Sequence, residues 1–150
     1  MRIFYCILNI LLFIHFVSAQ NVNVILQVNG VTLKHGEVAN LYIKFKDEIH
    51  RPNYYPGDLI LDKEVFELIK TDSIGEFTLH FDYYSYKKSK QEIANFDIKL
   101  NKKLIMGPYL MIDVFDFRDK KYKHWYQYLT KEDYLVQLIY PQCGIYVRMK

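Results

Sequence analysis

The sequence predicts an all-β fold, an antiparallel β-sandwich of about seven to eight strands. Three observations carry this reading. Apolar residues recur at every second position along most of the chain, the period of a strand with one buried face. Turn residues punctuate these runs at short intervals, as a sandwich requires. Apolar residues make up 51% of the chain, with only six Gly and four Pro. That surface suffices to offset chain entropy, so neither a disordered chain nor a collagen-like repeat fits.

The runs follow in chain order. Val22, Val24, Leu26 and Val28 alternate first; Asn29-Gly30 and His35-Gly36 punctuate the connection to Leu41, Ile43 and Phe45. Pro52 and Pro56-Gly57 mark a longer loop. Phe66 and Leu68 alternate with Glu67 and Ile69. Asp72-Ser73-Ile74-Gly75 then carries the Asp and Gly of a type I turn. A hairpin is therefore expected between 66–71 and 76–82, whose second arm holds Phe77, Leu79 and Phe81. Phe96, Ile98 and Leu100 form the next run, and Leu110, Ile112 and Val114 follow the Gly107-Pro108 break. The aromatic segment 122–129 reads as a strand, 134–140 as another ended by Pro141, and 145–149 as a last short one. Helix signals are thin, a turn or two within 62–67 and 89–94. No repeat or flexible linker interrupts the chain.

The N-terminus has a different character. Arg2 precedes an apolar run from Ile3 to Phe16, and Val17-Ser18-Ala19 supplies small residues. This is the order of a secretory signal peptide, and the run falls short of the roughly 20 apolar residues of a membrane span. The expected division is a signal peptide over 1–19 and one domain over 20–150. Cleavage after Ala19 removes Cys6 and leaves Cys143 alone. A single cysteine makes no internal disulfide, so Cys143 is expected as a free, buried or inter-chain thiol. No Asn-x-Ser/Thr sequon is present.

Catalytic and cofactor motifs are not found. His35, His50, His80 and His124 lie in no HExxH or Cys/His metal spacing, and each is expected at the surface or rim. Asp113, Asp116 and Asp119 lack the Gly of a calcium loop and read as a charged strand edge and loop. The Cys143 thiol has no base beside it in sequence to make it a nucleophile. No catalytic, cofactor-binding or metal-binding residue is assigned. The net charge of +3 and the pI near 8.7 demand no nucleic-acid-binding stripe. Lysines interleaved with aromatics suit an anionic or protein surface instead. The candidate surface-binding residues are Lys87, Lys88, Lys90, Lys121, Lys123 and Trp125.

The ordered motifs resemble the nematode transthyretin-like family of secreted proteins. The residues that carry this are the run 24–30, the run 36–48, Pro56-Gly57-Asp58, Thr71-Asp72-Ser73-Ile74-Gly75-Glu76-Phe77, Gly107-Pro108-Tyr109-Leu110 and the run 134–141. The likeness covers nearly all of the chain after Ala19. It departs in carrying one cysteine where members usually have several, in a longer segment over 85–103 and in a shorter stretch after Trp125. The resemblance implies a transthyretin-like sandwich and an extracellular binding or signalling role; with no catalytic constellation the role is expected to be non-enzymatic, and the aromatics and lysines suit an extracellular protein or a cell-surface or lipid partner. Related folds add two alternatives: an oligomeric carrier of a small hydrophobic ligand, and a hydrolase. The hydrolases end in Tyr-Arg-Gly-Ser, whereas this chain ends Tyr146-Val147-Arg148-Met149-Lys150.

Overall fold

The first alternating run divides at Asn23. Strand β1 (Gln20–Val22) pairs with one sheet and β2 (Val24–Val28) with another. The Asn23 side chain donates to Pro108 O at 2.8 Å, its carbonyl accepts from Leu110 N at 2.8 Å, and Val24 N bonds Gly57 O at 3.1 Å. Those three bonds satisfy the backbone where the strand changes sheet. The computed structural model describes residues 19–71, 75–87 and 90–141. Residues 1–18 of the expected signal peptide, residues 72–74 of the expected turn, Lys88, Cys143 and the strand expected over 145–149 lie outside them.

The fold is the expected all-β sandwich, with eleven strands among the described residues instead of seven to eight. The others are β3 (Val31–Thr32), β4 (Val38–Phe45), β5 (Glu48–His50), β6 (Asn53–Tyr55), β7 (Asp58–Leu61), β8 (Glu76–Lys87), β9 (Lys90–Asn101), β10 (Leu110–Asp116) and β11 (Tyr134–Ile139). They form sheets of order β1-β7-β6, β11-β10-β2-β3 and β5-β4-β8-β9. One departure concerns direction. β2 and β10 pair in parallel, Leu110 against Val24 through Val114 against Val28, so that sheet is mixed. The alternation in each strand is blind to its neighbour's direction, which the long connection between them decides.

Alternating residues build the core. Val24, Leu26 and Val28 of β2 meet Leu110, Ile112 and Val114 of β10, Phe77, Leu79 and Phe81 of β8, and Phe96, Ile98 and Leu100 of β9 in one buried cluster. Phe81 and Phe96 pack edge to face at 5.4 Å. Tyr54 of β6 reaches between elements: its hydroxyl accepts from Leu26 N at 3.1 Å and donates to Leu33 O at 3.4 Å.

Four expectations are corrected. The first arm of the hairpin expected over 66–82 is helix α1 (Lys63–Lys70). Val65 and Ile69 are its buried residues, four apart, while Phe66 and Leu68 are only partly covered. Asp62 stands at the N-cap, Glu64 in the first turn and Lys70 in the last, where each charge opposes the helix dipole. The helix suspected at 62–67 is thus real and longer; that at 89–94 is strand β9. β8 finds its hairpin partner downstream, in β9, along twelve paired positions. The strand expected over 122–129 is helix α3 (Lys120–Tyr126) followed by a 3-10 turn (Gln127–Leu129). A shorter helix, α2 (Lys102–Ile105), follows β9, with the Asn101 side chain accepting from Leu104 N. Pro56-Gly57, expected in a longer loop, forms the two-residue turn of the β6–β7 hairpin, with Gly57 at φ 98°.

The helical assignment of α1 has a discriminating consequence. Ile69→Ala is expected to cost about 2–5 kcal/mol, as buried large-to-small changes do, and Leu68→Ala clearly less. Equilibrium urea unfolding reads both; the opposite ranking is what a strand would give.

Candidate functional site

The sequence-derived candidates separate in space. Lys87 and Lys90 are backbone partners at the end of the β8–β9 ladder. Lys121, Lys123 and Trp125 lie on α3. The structure brings these last three onto one short element.

Local chemistry makes α3 a helix. The Asp119 side chain accepts from Lys121 N at 2.9 Å, which caps an orphan N–H of the first turn. Tyr122 and Tyr126, one turn apart, fold back on Phe115 of β10 with ring centroids at 5.5 and 4.8 Å. The Tyr122 hydroxyl donates to Asn29 O at 3.0 Å. With that face anchored, the rest of the element points outward. Lys121 Nζ sits 4.8 Å from the Trp125 ring centroid and 5.3 Å from that of Tyr122, both within cation–π range. Trp125 is 47% exposed, Tyr128 81% and Leu129 56%. Lys120, Lys121, Lys123 and Lys131 are exposed as well, and no acid occurs between Asp119 and Glu132. We call this surface the α3 ridge.

One flank of the ridge borders a cleft of about 430 Å³. Lys123 and Gln127 line it from the ridge, Phe96 from β9, Phe117 and Arg118 from the turn after β10, and Tyr134 from β11. Two clips hold its walls at the free edge of β9. Arg118 Nη1 donates to Ile93 O at 2.8 Å. The Tyr134 hydroxyl accepts from Asp97 N at 3.1 Å and donates to Asp97 O at 3.0 Å. Burial pushes the Tyr134 hydroxyl pKa up, against the Asp97 N–H bond.

The aspartates expected on a charged strand edge divide instead. β10 is interior to its sheet, between β2 and β11. Asp113 and Asp116 are buried, and only Asp119 is exposed. Asp113 Oδ1 accepts from Gly30 N at 3.0 Å. Asp116 holds Arg118 through Nε at 2.8 Å and Nη2 at 2.6 Å. Burial raises the Asp113 carboxyl above the ordinary carboxylate pKa, with the Gly30 N–H holding it back.

A second polar cluster lies on β4, β8 and β9. His80, expected at the surface or rim, is mostly covered, with 13% of its side chain exposed. It stacks on Tyr42 at 4.4 Å. Its Nδ1 lies 2.8 Å from Asp97 Oδ1 and its Nε2 3.2 Å from Asp82 Oδ1. The buried Asp82 also accepts from Asn40 and Asn95. Asn40 reaches it from a left-handed conformation, φ 45°, at a bulge in β4. Both nitrogens of His80 are therefore engaged, and the cluster ties three strands together without presenting a free nitrogen to a substrate. Among the described residues, no group of three or more His, Cys, Asp or Glu is placed to hold a metal ion.

No family model, curated protein or solved structure matches this chain. The sequence pointed to individual lysines and Trp125. The anchoring tyrosines, and the exposed Tyr128 and Leu129, were hidden by the strand reading. Asp119 as a cap, and the four-residue spacing of Tyr122 and Tyr126, are the signals that would have revealed them.

The raised Asp113 carboxyl predicts a pH dependence. A carboxyl whose pKa is higher folded than unfolded costs stability once ionised, and that cost is gone below the unfolded pKa. Asp113→Asn keeps an acceptor for Gly30 N. It is expected to be more stable than wild type at neutral pH, with the difference shrinking as pH falls toward about 4, the ordinary carboxylate range. Thermal melts of both proteins across that interval read the effect.

Proposed function

We propose that this chain is a secreted, non-enzymatic binding or signalling protein of the transthyretin-like family, and that the α3 ridge is its binding surface. The N-terminal pattern supports secretion: a charged start, an apolar run and small residues end at Ala19, and strand β1 begins at the next residue. The likeness of the ordered motifs supports the family, and the sandwich supplies a rigid frame. One observation carries the choice of surface. Trp125, the one tryptophan of the chain, stands exposed against Lys121 on a helix clamped to β10. Rigid aromatic anchors with a cation beside them are the side chains that dominate binding energy at interfaces.

Two measurements test the reading. Expression in eukaryotic secretory cells is expected to release a protein that begins at Gln20, as the free amine or as pyroglutamate, read by intact and peptide mass spectrometry; an uncleaved intracellular chain would count against secretion. Labelled protein is expected to bind intact cells saturably. Trp125→Ala is expected to weaken that binding by roughly thirtyfold, the 2 kcal/mol scale of an interface anchor, without changing the melting temperature. Equal binding by the variant would remove the ridge, and saturable turnover of a small substrate would remove the non-enzymatic reading.

A further inference from the structure

We infer that the α3 ridge docks on an anionic lipid bilayer, with its lysines at the headgroups and Trp125, Tyr128 and Leu129 in the interface. This rests on the ridge being the binding surface and names what it binds. The charge is one-sided. From residue 120 to 131 there are four lysines and no Asp or Glu, so the ridge complements a negative surface. Arg118, just before it, is neutralised by Asp116. The apolar part is also one-sided. Tyr122 and Tyr126 turn inward onto Phe115, while Trp125, Tyr128 and Leu129 remain exposed on consecutive turns.

The combination selects the partner. A sulfated glycan would use the lysines and stack on Trp125, but has no use for the exposed Leu129. A bilayer interface uses all three groups: lysine ammonium on phosphate, aromatic side chains at headgroup depth, and an aliphatic tip below them. Lysine fits this geometry because its apolar stem lies along the surface while the charge stays in water. Lys121, stacked over Trp125 at 4.8 Å, places charge and aromatic anchor at one point. Each lysine at an anionic surface is worth roughly fivefold in affinity, and this attraction fades with salt.

The single tryptophan lies within the ridge, so its emission reports insertion directly. The full secreted protein is titrated with phosphatidylcholine vesicles, with and without phosphatidylglycerol. Binding is read by co-sedimentation and by Trp125 emission. Binding and a blue shift are expected only with phosphatidylglycerol, and both should fall as salt rises. Lys121→Gln with Lys123→Gln should weaken binding roughly 25-fold. Leu129→Ser with Tyr128→Ser should weaken it further while leaving the salt dependence in place. All four side chains are exposed, and circular dichroism checks that the variants keep the fold.

No binding to anionic vesicles overturns the inference, as does binding without a blue shift or binding indifferent to the lysine pair. A heparin column is run in parallel. If vesicles are ignored while the lysine pair still weakens heparin or cell binding, the ridge remains a binding surface and the bilayer is excluded. If the substitutions change neither, the ridge reading fails as well.

Discussion

The turn Asn29-Gly30 holds β2, β10 and α3 in one register. Asn29 and Gly30 both adopt positive φ, 55° and 76°, the conformation of a tight type I′ hairpin turn that an Asn-Gly pair favours. Four polar groups of this turn find partners outside its own hairpin. Asn29 N bonds Val114 O at 2.9 Å, and the Asn29 side chain accepts from Asp116 N at 2.9 Å. Gly30 N donates to the buried Asp113 carboxyl, and Asn29 O accepts from the Tyr122 hydroxyl. These four bonds carry the parallel pairing of β2 with β10 past its last ladder position. They also seat the first turn of α3, so the ridge inherits its orientation from a turn more than ninety residues upstream in sequence.

Buried charge follows from the same junction. A carboxylate taken out of water needs donors to replace its hydration. Asp116 has Arg118 and its backbone N–H, and Arg118 in turn spans to Ile93 O on the edge of β9. The ion pair therefore does more than neutralise itself: it connects the two sheets beside the cleft. The Tyr134 clip on Asp97 does the same farther along the edge. Unpaired edge groups invite pairing with another strand, and here two of these positions are occupied by side chains from the facing sheet. Asp82 solves its burial through Asn40, Asn95 and His80.

Period-two alternation was legible in β2, β4, β8, β9 and β10, because each presents one face to a core that is continuous across the sheets. It misled at Phe66–Ile69. That run is too short to tell two from 3.6, and the burial of Val65 and Ile69, one helical turn apart, goes with helix. It misled again at 122–129, where aromatic content suggested a strand although Tyr122 and Tyr126 share a helical face. The apparent continuity of Val22–Val28 concealed a change of sheet at Asn23, which shows only in its long-range bonds to Pro108 and Leu110. Of the ridge, Lys121, Lys123 and Trp125 were visible as a composition. Their gathering onto one helix was not, because the segment reads as a strand.

Composition, alternation and local turn chemistry by themselves determined the all-β class, most core residues and the basic-aromatic character of 118–126. These are properties of a residue and its near neighbours, and they survive without knowledge of the rest of the chain. Tertiary structure alone decided the parallel β2–β10 pairing, the burial of Asp113 and Asp116, and the outward face of α3. Each depends on groups dozens of residues apart, brought together only when the three sheets close on a common core. A carboxylate reads the same in sequence whether its partner is water or a distant backbone N–H; packing makes the choice.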